Sequence, residues 1–166
     1  MNRQTKLLTY GGLFTAAALV FGYIEMLIPI PFPIPGMKLG LANVAILAVL
    51  YYLGEKEALV IDILRVTLSS ILFGNPQMFF FSIAGALASI IVMIGLKKTK
   101  KFGIIGVSVA GGVAHNAGQI LVAIWVMGTS EIIYMLPALA LFGIVTGILV
   151  GVTGGLVADR LPKTDR

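Results

Sequence analysis

The chain has 166 residues, of which 12 are Lys or Arg and 7 are Asp or Glu. That is 11% charged, against roughly 25% in a soluble domain, while hydrophobic residues reach 58% and mean hydropathy is +1.03. These figures exclude a water-soluble enzyme domain and a disordered chain, and with no Cys they exclude a disulfide-stapled module, cysteine-ligated zinc, iron–sulfur clusters and thiol chemistry. An all-α integral membrane protein of one domain, residues 1–166, remains.

A membrane-crossing helix takes about 20 mostly apolar residues, and six segments qualify as candidates. In chain order they span about 7–28, 39–53, 58–73, 77–96, 102–127 and 133–157. The first stops before the proline cluster Pro29, Pro31, Pro33 and Pro35. Its apolar run is too long for a cleaved signal peptide, and no small-residue cleavage site follows before the prolines. The second is short, the third contains Asp62 and Arg65, the fourth opens after Asn75-Pro76, and the sixth tolerates Pro137 in its first turns.

Loop charge sets orientation. With both termini in the cytoplasm, ten of the twelve basic residues fall inside, including Lys97, Lys98, Lys100 and Lys101; only Lys38 lies outside, and Arg65 lies within a span. The net charge of +5 is therefore an orientation signal. It does not indicate nucleic-acid binding, because the basic residues sit at helix ends. A multi-pass protein of the bacterial cytoplasmic membrane is expected, in contact with the lipid bilayer.

Small residues let helices approach closely where lipid supplies little hydrophobic drive. The sixth segment repeats Gly143, Gly147, Gly151 and Gly155 on one face. The fifth has Gly111, Gly112 and Gly118, and the first has Gly12 and Ala16 in its cytoplasmic half. These patches serve packing within the chain or docking of a partner, and the Gly12–Ala16 patch is the docking candidate.

Ionisable residues within a membrane face a cavity or a partner. Asp62 and Arg65 are three apart on one helical face, with Ser69 one turn on. They form either a self-neutralising pair or an anion-binding arginine held by Asp62. In the fifth segment His115, Asn116 and Gln119 lie close together, His115 and Gln119 sharing a face. A substrate or gating role is expected for them; one His without further His or acidic residues is a poor metal site. With this orientation Glu25 and Lys38 lie near the outer surface, and Asn43 about 7.5 Å below Lys38. The polar groups thus run from the midplane outward, as in a capture site for an external solute. The proline-rich stretch 29–38 stiffens into a connector or a lid over it, with Phe32 and Met37 as apolar contacts.

No G-x-x-x-x-G-K-[ST] loop, G-x-S-x-G elbow or H-E-x-x-H helix is present. Asp occurs only at 62, 159 and 165, so paired aspartate clusters for magnesium–diphosphate chemistry are missing. No catalytic activity, metal or cofactor is expected of the chain, and transport would need an ion gradient or an energising partner.

The run Lys38-Leu-Gly-Leu-Ala-Asn-Val-Ala-Ile46, then Asp62-Ile-Leu-Arg65, then His115-Asn-Ala-Gly-Gln119 resembles the bacterial Gx transporter family over nearly the whole chain. Its members are often labelled heptaprenyl diphosphate synthase component I, and the family is similar to the S components of energy-coupling factor transporters. The resemblance implies a six-helix, S-component-like bundle that binds a micronutrient from outside. It also implies docking, through small residues of the first helix, onto a transmembrane coupling protein with two ATPases. A flavin precursor or an isoprenoid- or quinone-related compound is the implied cargo. Lys38, Asn43, Asp62, Arg65, His115, Asn116 and Gln119 are the expected substrate-binding residues, with Gly12 and Ala16 docking the partner. Two other classes compete. One is a non-transporting accessory subunit of a quinone- or flavin-linked redox or prenyl-diphosphate complex, held through the Gly143–Gly155 stripe. The other is a membrane prenyl-transfer enzyme, disfavoured by the missing carboxylates.

Overall fold

A chain this apolar must satisfy its backbone N–H and C=O groups within its own segments, which a helix does. The computed structural model describes residues 3–28 and 40–161, the side chains of Arg3 and Lys6 excepted. Six α-helices appear: α1 Arg3–Leu27, α2 Asn43–Tyr52, α3 Glu55–Phe73, α4 Pro76–Thr99, α5 Ile104–Met127 and α6 Leu136–Arg160. A 3₁₀ turn, Ser130–Met135, leads into α6. Among the described residues, four stretches are long and apolar enough to cross a membrane: Leu7–Leu27, Pro76–Thr99, Ile104–Met127 and Ser130–Arg160.

The two remaining helices depart from that pattern for different reasons. At 10 residues, α2 is about 15 Å long, half a bilayer core. It is apolar all round, and Ala45 through Leu50 are buried, which makes it the central core helix of the bundle. Its start falls at Asn43 rather than near residue 39. The 19-residue α3 is long enough to span, but it carries Glu55 and Glu57 in its first turn and Asp62 and Arg65 further along. Helix starts are chemically marked where they matter. The Asn75 side chain accepts the Met78 N–H at 2.9 Å, and Pro76 occupies the first turn of α4.

Glycine sets the packing of α4, α5 and α6. A Cβ on Gly112 would lie 2.4 Å from the Gly143 carbonyl oxygen, and one on Gly143 would lie 2.8 Å from Gly112. Farther along, Gly147 meets Val109, Gly151 meets Ile105 and Gly155 meets Ile104, so α5 and α6 run antiparallel with backbones in contact. On the other side of α5, Gly118 packs on the Ala84 carbonyl and Gly111 on Met93. The Gly143–Gly155 stripe is thus covered by α5, and it is not a surface for a second protein.

The basic residues gather at one end of the bundle. Lys97 donates to the Leu50 carbonyl at 2.6 Å, and Lys98 pairs with Glu55 at 3.0 Å. The Tyr10 and Tyr52 rings meet edge-on at 5.1 Å at the same end. At the opposite end the Tyr23 and Phe73 rings lie 5.0 Å apart.

Gly143→Val forces a side chain into the Gly112 backbone. It is expected to destabilise by about 1–3 kcal/mol, as overpacked cores do. Gly95→Ala meets nothing within 4 Å and is expected to be neutral or stabilising by up to about 1 kcal/mol. Thermal unfolding of both variants in detergent checks the contrast.

Candidate functional site

The buried polar residues concentrate in the half of the bundle away from the basic end. Asp62 and Arg65 are one turn apart on α3, so their side chains meet on one face. The Arg65 Nε donates to Asp62 Oδ1 at 2.8 Å, and its Nη2 donates to Asn43 Oδ1 at 3.2 Å. All three residues are at least nine-tenths buried. Low dielectric strengthens the ion pair, and the arginine fork is held in one orientation by two partners on different helices.

Asn43 is the first residue of α2, and the turn before it is built around Gly40. Gly40 has φ +86°, a conformation that costs glycine little. Its N–H donates to Glu25 Oε1 at 2.7 Å, and the Leu41 N–H donates to Glu25 Oε2 at 3.2 Å. The buried Glu25 carboxylate of α1 therefore caps the start of α2 from 15 residues away, where a helix N-terminus favours negative charge. A Cβ on Gly40 would lie 2.9 Å from Asn43 Nδ2 and 3.5 Å from His115 Nε2. Gly40 is the point where the α1–α2–α3 polar group touches α5.

On α5, His115 and Gln119 are one turn apart, and Gln119 Nε2 lies 3.0 Å from His115 Nε2. Which of the two nitrogens donates depends on the imidazole tautomer and the amide orientation. His115 is clamped between Gly40 and Gly85; a Cβ on Gly85 would come 2.9 Å from its ring. Asn116 diverges from this group. Its amide donates to the Leu139 carbonyl of α6 at 2.7 Å, because adjacent helical positions point about 100° apart.

Of the expected site residues, the structure joins Asn43, Asp62 and Arg65 in one hydrogen-bonded set and places His115 and Gln119 beside it. Asn116 binds α6 instead. Lys38, the prolines at 29–35, Phe32 and Met37 lie outside the described residues. Sequence reasoning missed the capping role of Glu25 and the hinge-like position of Gly40. Only the Gly-x-x-Asn spacing at the start of an apolar helix hinted at the latter.

A profile of the family described as heptaprenyl diphosphate synthase component I matches residues 14–157. The chain belongs to that family. No curated protein and no solved structure matches it. The matched stretch contains the whole polar set from Glu25 to Gln119 and all of α2 to α5.

A separate groove of about 660 Å³ runs between α1 and α3, walled by Gly11, Gly12, Thr15, Ala16, Ile61 and Leu64 among others. Gly12 and Ala16 are exposed on its floor, and Lys56 and Glu57 stand at its basic end. Its walls are apolar, and it is distinct from the polar set.

Arg65→Ala leaves the Asp62 carboxylate buried without its cation, at a cost of about 3–5 kcal/mol. Asp62→Asn with Arg65→Gln removes both charges and is expected to recover most of that stability. Melting curves of single and double variants check the coupling. Additive losses would mean that the two residues act independently.

Proposed function

We propose that this chain is the substrate-binding membrane subunit of an importer of the energy-coupling factor type. Its helical bundle sits in the bacterial cytoplasmic membrane with both termini and the basic end inside. The solute is a small anionic or amphipathic organic micronutrient, with flavin- or isoprenoid- and quinone-related compounds as candidates. One observation carries the reading: a buried arginine oriented by Asp62 and Asn43, next to His115 and Gln119, in the half of the bundle that faces outward under this topology. Arg65 supplies the charge for an anionic group. His115 and Gln119 supply hydrogen bonds, and Lys38 is a further substrate-binding residue of this reading. The chain itself is not the catalyst of a prenyl transfer.

The α1–α3 groove supports the partner half of the proposal. An exposed wall of Gly12 and Ala16 accepts a transmembrane helix closely, where packing rather than hydrophobic burial drives association. A coupling protein with two ATPases fits the chain's lack of a phosphate-binding loop. The family description favours a second reading, a non-catalytic component of a prenyl-diphosphate pathway complex, in which the same groove would hold a synthase-linked subunit.

The paired variant Asp62→Asn with Arg65→Gln separates site from fold. It is expected to melt near the wild type yet lose, in native mass spectrometry of gently extracted protein, the small molecule that the wild type retains. Gly12→Leu is expected to keep the small molecule and lose the coupling partner. Retention of the solute by the paired variant would remove Arg65 from the site. A prenyl synthase subunit in place of an ATPase-bearing partner would favour the second reading.

A further inference from the structure

Beneath Asn43, toward the basic end, lies a small chamber enclosed by four helices. Its walls include Asn43 of α2, Ser89 and Met93 of α4, Ser108 of α5, and Thr146 of α6. The centre of a water molecule has about 10 Å³ available there, the size of a site for one water.

Threonine hydroxyls in this protein ordinarily bond back to their own helix. Thr15, Thr67, Thr146 and Thr153 each donate to the carbonyl four residues earlier, at 2.7–2.9 Å, the common solution for a hydroxyl in an apolar helix. The serines Ser70, Ser82, Ser89 and Ser108 do not, and of these four only Ser89 and Ser108 line the chamber. These two are 0% and 2% exposed, and their Oγ atoms have no hydrogen-bond partner in the protein. A buried hydroxyl without a partner costs about 1–3 kcal/mol. Thr146 reaches the chamber with its donor already committed to the Phe142 carbonyl, so toward the chamber it can only accept. Besides the Asn43 amide, the walls thus present two hydroxyls free to donate or accept and one acceptor, and no carboxylate is among them.

We propose that the chamber binds a single water molecule shared by Ser89, Ser108 and Thr146. It donates to Thr146 Oγ1 and exchanges hydrogen bonds with the two serines. The neutral donor set selects water over a metal cation, which would call for carboxylate oxygens, and the Arg65 guanidinium bonded to Asn43 opposes a cation further. The bound water fastens α2, through the wall that contains Asn43, to the glycine-packed α4–α5–α6 layer.

The test is the thermal midpoint of the full chain in detergent for wild type, Ser89→Ala, Ser108→Ala and the double variant, each in sodium chloride and in choline chloride. A shared water predicts that each single change lowers the midpoint by about 2–4 °C. It also predicts a double loss smaller than the sum and the same midpoints in both salts. A rise or no change in the single variants would overturn the proposal, since removing an unsatisfied hydroxyl relieves a cost. Additive losses would overturn it because the serines then share nothing. A midpoint that depends on sodium would replace water with a cation.

Discussion

A guanidinium buried in an apolar helical bundle is kept only if its charge and its donors are met by the protein. The rest of the polar architecture follows from how Arg65 meets this demand. Asp62 supplies the charge at 2.8 Å from the same helix. That leaves the far side of the fork, and Asn43 takes it. Asn43 can do so only because α2 begins there, and α2 begins there because Gly40 turns the chain and Glu25 caps the turn. One buried cation thereby ties together three helices that glycine packing does not.

The six helices were legible because apolar runs of the right length, broken by Asn75-Pro76, the proline cluster and the Lys97–Lys101 basic run, mark helices by composition alone. The Asp62–Arg65 and His115–Gln119 pairs were legible for a related reason. Spacings of three and four place side chains on one face, and both pairs are in contact. Contacts across elements were not legible. Arg65 and Asn43 are 22 residues apart, Glu25 and Gly40 are 15 apart, and no periodicity announces either. Asn116 shows the limit of proximity along the chain. It sits beside His115 in sequence, but a single helical step turns it to α6. Ser89 and Ser108 were invisible for the opposite reason, since lone serines in apolar helices usually bond their own backbone and carry no signal until the backbone partner proves absent.

Glycine divides the bundle into two mechanical parts. Helices α4, α5 and α6 interlock at Gly112, Gly118, Gly143, Gly147 and Gly151, where an added Cβ would fall 2.4–2.8 Å from a neighbouring backbone atom, while Gly154 of α6 packs on Val44 and Leu47 of α2. Helices α1, α2 and α3 meet through side chains and through the Glu25–Gly40 and Arg65–Asn43 hydrogen bonds, which can exchange for other polar partners without rebuilding a backbone contact. The polar set lies on the seam: Glu25, Asn43, Asp62 and Arg65 on one side, His115 and Gln119 on the other.

That seam gives the binding reading its physical route. The two sides approach at Gly40, whose lack of a Cβ lets Asn43 and His115 come near the same backbone atom. An anionic solute arriving there would find the arginine fork on one side and the His115 imidazole on the other. Such a solute would take the place of Asn43 on Arg65 without breaking the Asp62 pair, and the site would then hold one negative charge more than that pair balances. The stiff α4–α5–α6 layer would stay fixed during such an exchange, and the displacement would fall on the start of α2. Glu25 holds the Gly40–Leu41 turn ahead of α2, so that turn moves only when this cap loosens.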